Sequence, residues 1–161
     1  SKVLEAQFRA LGAIPQVMAF SEVYQALQTG VVDGQENTWS NIYTQKMHEV
    51  QKFATVTNHG YIGYVVVVNK KFWDGLPADV RAGLTKAMAE ATKYSNDISE
   101  TENAQALADM KKSGKTEFIT LTAAQKASWK QAMSPVYKDA EARVGKPLIE
   151  EFEKAVNAAT N

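Results

Sequence analysis

Apolar and polar positions recur with two different periods along this chain, and the change of period divides it. Leu4, Phe8 and Leu11 fall at i, i+4 and i+7, which predicts an amphipathic helix over residues 1–11, stopped by Gly12. Residues 15–19 (Pro-Gln-Val-Met-Ala) read as a short strand, with Pro15 tolerable only at its start or on an edge. Ser21 reads as the N-cap of a helix running through Gln28 and ended by Gly30. Residues 31–37 then pass from strand to loop, into a second helix at about Trp39–Gln51. Residues 53–57 alternate as a half-exposed strand does. Tyr61 to Val68 is nearly all apolar and rich in β-branched residues, the composition of a strand buried on both faces. Strands alternating with helices predict an α/β layer around a mostly parallel or mixed sheet.

The second half changes character. Pro77 suits the first position of a helix, and helix formers continue to Lys112, with Gly114 as a stop. At ~1.5 Å per residue such a helix is about 54 Å long. A compact chain of this length has a radius of gyration of ~15 Å, hence a diameter of roughly 40 Å. The helix is too long for its own domain. Val80, Leu84, Met88, Ala91 and Ile98 form an apolar stripe, yet from Ser95 to Asn103 almost every residue is polar. A helix polar all round in its middle suits a bridge between two lobes. Two helices broken near residues 97–99 satisfy the pattern equally. Beyond it come a short strand over residues 116–121, a helix opened by the capping box Thr122–Gln125, and a last helix ending near Ala159, after Gly145 and Pro147.

Composition narrows the function. Eighteen Lys and Arg balance eighteen Asp and Glu in 161 residues, and no basic cluster exceeds the pairs Lys70-Lys71 and Lys111-Lys112, which argues against a nucleic-acid partner. The chain has no cysteine, so thiol catalysis, disulfides and Cys-ligated metals are excluded. No apolar run approaches the ~20 residues of a membrane-spanning helix. The sequence starts at Ser1 with no signal-like apolar segment, so we expect either processing or a start inside a longer protein.

Catalytic signatures fail one by one. There is no G-x-S-x-G elbow, no phosphate-binding P-loop and no G-x-G-x-x-G fingerprint. His48-Glu49 opens like a zincin helix, but Lys52 stands where the second metal ligand belongs, so His48 reads as a helix-surface histidine. No cofactor is implied. His59 lies in a loop between two strands, where α/β proteins gather ligand residues; a local turn explains it equally. Residues 33–39 (Asp-Gly-Gln-Glu-Asn-Thr-Trp) form a dense polar stretch flanked by aromatics, either a capped turn or the lining of a small polar pocket.

Three blocks carry a resemblance. Residues 11–15 (Leu-Gly-Ala-Ile-Pro), 18–24 (Met-Ala-Phe-Ser-Glu-Val-Tyr) and 26–37 (Ala-Leu-Gln-Thr-Gly-Val-Val-Asp-Gly-Gln-Glu-Asn) resemble the extracytoplasmic solute receptors of tripartite ATP-independent periplasmic (TRAP) transporters. Residues 49–52, 57–61 and Leu76-Pro77 also match, and residues 37–43 and 58–61 look most like the DctP-like branch, whose usual ligands are C4-dicarboxylates. The resemblance implies the C-terminal portion of a two-lobed, periplasmic-binding-protein-like α/β fold, with the long helix bridging the lobes. It further implies a periplasmic, non-enzymatic receptor that captures a small organic acid such as malate, succinate or fumarate and passes it to TRAP membrane subunits. The competing classes are an α/β ligand-sensing domain and a small enzyme.

Position by position, the resemblance makes Asn37 a pocket residue whose amide bonds the ligand, Phe20 a pocket-wall aromatic and His59 a pocket-edge residue. Trp39 and Tyr61 join them by neighbourhood. Each has a plainer alternative: Phe20 in a core, Trp39 a helix anchor, Tyr61 a strand-end aromatic. In the family an arginine holding the ligand carboxylate sits in a strand that would end a few residues before Ser1; Arg9 falls on the first helix and is not that residue. The resemblance thus implies that the N-terminal lobe lies outside this sequence. The seam it leaves is expected to be covered by that lobe or by self-association.

Overall fold

Helix punctuation in the computed structural model, which describes residues 1–159, follows the sequence signals closely. Helix α1 (Lys2–Ala10) ends at Gly12, whose φ of 87° lies in the left-handed region that a Cβ disfavours. A 3₁₀ turn at Phe20–Glu22 leads into α2 (Val23–Gln28). The helix expected over 39–51 is instead α3 (Trp39–Thr44) and a 3₁₀ turn (Met47–Val50), separated by Lys46 at φ 56°. Strand β1 (Phe53–Val56) pairs with β2 (Glu117–Thr120) in a two-stranded sheet. Between them lie α4 (Lys70–Asp74), capped by the Asn69 side chain, and α5 (Ala78–Ser113). Then come α6 (Ala123–Val144) and α7 (Lys146–Ala159).

The long helix is real and unbroken. It runs 36 residues, about 54 Å at ~1.5 Å per residue, and closes on Gly114 at φ 66°. Pro77 sits at its N-cap, one position before the expected site. The break near residues 97–99 does not occur. The capping box forms as read: Gln125 N–H donates to Thr122 Oγ1 (3.3 Å), and Thr122 N–H donates to Gln125 Oε1 (2.8 Å).

The chain divides into two compact units. The first comprises residues 1–22 and those from 120 onward; α1 and α7 both pack on α6, whose Met133 and Val136 are buried. The second is residues 23–119, where α3 packs along α5. Its core is Leu27, Ile42, Met47 and Met110, flanked by Val23, Val32, Trp39, Val50 and Phe118. Thr116 ties β2 to the 3₁₀ turn, its hydroxyl 2.6 Å from the His48 carbonyl oxygen. His48 is buried, its ring stacked on Tyr43 at 5.5 Å, which corrects its reading as a surface residue: breaking the expected helix at Lys46 turns His48 inward beside Met47.

The larger sheet is the main departure. Residues 15–19 and 61–68 form no strand, and residues 31–33 form bends. Val65 is 84% exposed and Val66 74%, so the segment read as a doubly buried strand lies open on both faces. A strand is stabilised by cross-strand neighbours, and none reaches this segment here.

Candidate functional site

Two loops of the second unit meet through a side-chain contact between Glu36 and His59. The first, residues 33–38, descends from the Gly30 turn (φ 72°) and ends at Thr38, the N-cap of α3. The second, residues 57–61, leaves β1 through Asn58, whose φ of 49° is a conformation that asparagine tolerates. Glu36 Oε2 lies 3.5 Å from His59 Nε2, and His59 Nδ1 lies 2.7 Å from Thr57 Oγ1. Both ring nitrogens are thereby engaged, and both side chains are largely sheltered.

Asn37 sits beside Glu36 in this arrangement. Its Oδ1 accepts from the Thr38 backbone N–H (3.0 Å) and from Asn41 Nδ2 (2.6 Å). Only an oxygen accepts from a backbone N–H, so the amide orientation is set. No hydrogen bond among the described residues occupies Asn37 Nδ2, which remains a donor for an incoming acceptor. Thr38 takes the N-cap position of α3, with no side-chain cap hydrogen bond of its own.

The other anticipated residues are dispersed. Trp39 is partly buried against the core, its ring 5.8 Å from that of Phe118 and tilted 59°. Tyr61 follows His59 but is 91% exposed. Phe20 belongs to the first unit, half exposed at 45%. Glu36 was overlooked as an individual residue; only its place in the polar stretch signalled it, because its partner lies 23 positions on. Gln35 Oε1 is also buried there without a hydrogen-bond partner. Among the described residues no group of His, Asp and Glu is arranged to hold a metal ion, and no helix is long and apolar enough to cross a membrane.

Comparison with known proteins places these loops in context. The C4-dicarboxylate-binding periplasmic protein of Rhodobacter capsulatus is 63% identical over 160 residues, covering 99% of this chain and 47% of that protein. A TRAP periplasmic solute-binding protein of Shewanella oneidensis, solved with bound succinate, matches with a TM-score of 0.90 at 43% identity, over 93% of this chain and 49% of that one. One from Pseudomonas aeruginosa, solved with bound L-malate, matches with a TM-score of 0.81 at 37% identity, over 86% and 48%. The fold is therefore that of TRAP periplasmic solute-binding proteins, a class of receptors and not of enzymes. The chain belongs to the bacterial extracellular solute-binding protein family 7 (DctP), whose profile matches residues 1–143. It spans about half the length of the relatives it matches.

Proposed function

We propose that this chain is the C-terminal portion of a periplasmic receptor that captures a C4-dicarboxylate and delivers it to TRAP membrane subunits. The observation that carries the reading is Asn37: its oxygen is held by two donors, which leaves its NH₂ group to meet a carboxylate or hydroxyl. The Glu36–His59 contact holds the loop that presents it. Relatives at 43% and 37% identity bind succinate and L-malate, ligands of matching chemistry. Tyr61 is proposed as an aromatic wall, Trp39 as a wall supported from the core, and His59 as a pocket-edge group. A dicarboxylate also needs cationic donors, and a bidentate arginine from the N-terminal lobe suits that geometry. Closure of the lobes would exclude water and present a closed face to the membrane subunits.

Calorimetric titration of the complete gene product with succinate, L-malate and fumarate tests this. Micromolar or tighter binding of at least one is expected. Binding of none of them, by folded receptor freed of endogenous ligand, would defeat the reading.

A further inference from the structure

The polar middle of α5 has a use that its composition conceals. Asn103, the last residue of that stretch, falls at i, i+3 and i+7 with Ala106 and Met110, the two buried residues of the helix. This stripe faces the second unit's core, and Asn103 Oδ1 accepts the backbone N–H of Ser40 at 3.0 Å, across 63 residues of sequence. Ser40 is the second residue of α3, where an N-cap side chain ordinarily takes the N–H. Thr38 makes no such bond; its hydroxyl is 3.4 Å from Ser40 Oγ. The capping of α3 is thus supplied from another helix.

The same few residues hold Asn37. Thr38 N–H and Asn41 Nδ2, on either side of Ser40, are the two donors that fix its oxygen. Ser40 is consequently pinned to α5 in the middle of the segment that orients the ligand-facing amide. We propose that Asn103 is a positioning residue: it sets the angle at which Asn37 is presented, through the first turn of α3, without touching the ligand. This rests on the reading of Asn37 as a ligand donor. It gives the long helix a direct mechanical link to the pocket.

The test is a double-mutant cycle in the complete receptor, with succinate as probe. Asn103→Leu keeps the branched shape and removes the acceptor; Asn103→Asp keeps the acceptor. Asn103→Leu is expected to weaken succinate binding roughly fivefold to twentyfold, part of the roughly tenfold to hundredfold that outright loss of a hydrogen bond to a charged group costs. Asn103→Asp should restore affinity to within about threefold. In an Asn37→Ala background Asn103→Leu should cost nothing further. Independently of any ligand, the Asn37 side-chain amide resonances should move in the NMR spectrum of Asn103→Leu. An unchanged Asn37 amide, or an affinity loss that simply adds to that of Asn37→Ala, would overturn the proposal and assign Asn103 to stability alone. Failure of the wild type to bind succinate would instead strike the functional reading, while the Asn37 resonances still decide the positioning role.

Discussion

Replacing Asn37 separates fold from binding, because its two amide ends have different duties. The oxygen accepts two local hydrogen bonds, from Thr38 N–H and Asn41 Nδ2, and the nitrogen is the proposed ligand donor. Asn37→Ala deletes both ends. Losing two partly buried bonds at ~0.5–1.5 kcal/mol each should lower stability by about 1–3 kcal/mol. Losing the donor to a charged ligand group, at ~1.5–3 kcal/mol, should weaken binding roughly tenfold to a hundredfold. Asn37→Asp retains both acceptors, so the melting temperature should stay near that of the wild type. It nevertheless removes the donor and sets a carboxylate against the ligand's own. At 4 Å that repulsion is about 1 kcal/mol even in bulk-water dielectric, a further fivefold at least. The predicted order is therefore Ala below Asp in stability and Asp below Ala in affinity. Calorimetry and thermal melts of the two variants of the complete receptor check it. An Asp variant that binds succinate like the wild type would refute the reasoning.

Other outcomes follow from contacts elsewhere. Glu49 accepts a hydrogen bond from Lys115 Nζ (2.9 Å), and that bond, then the ammonium charge, holds its carboxyl below the usual carboxylate range. A depressed folded-state value stabilises the fold above the ordinary Glu pKa of ~4.3 and loses that contribution as pH falls below it. The stability gap between wild type and Glu49→Gln should thus be present at neutral pH and close in acid; denaturant titrations at pH 7 and pH 3 showing a constant gap would contradict this. The isolated 161-residue chain, with its valine run at 65–68 exposed, should self-associate in sedimentation velocity, and Val66→Lys should suppress it. A sharp monomer at high concentration would count against that expectation.

Much of this fold was legible locally, for reasons visible at particular residues. Gly114, the Thr122–Gln125 box and the uninterrupted helix formers after Pro77 act through neighbours in sequence, so the pattern suffices. The short helix α4 was missed although Asn69, whose Oδ1 accepts from Phe72 N–H, is a standard cap signal. Residues 15–19 and 61–68 have strand composition, yet a strand needs partners that composition does not supply. Lys46 breaks the helix expected over 39–51 through a left-handed residue that lysine seldom adopts, so nothing local announced it.

The candidate site was half legible. Asn37 and His59 stood out through polar clustering and family resemblance, and their loops do meet. The groups that join and orient them did not stand out. Glu36 acts on a residue 23 positions away, and Asn103 on one 63 away, with no periodicity to link either pair. Asn103 read only as the end of the long helix's polar middle, since an acceptor for another helix's N–H has the same composition as a surface residue.

The most direct test of the central claim is a crystal structure of the complete receptor with succinate bound. The account predicts that Asn37 Nδ2 lies ~2.7–3.2 Å from a succinate oxygen, with Glu36 and His59 still in contact behind it. Succinate bound with Asn37 Nδ2 turned away or beyond hydrogen-bond reach would contradict the account.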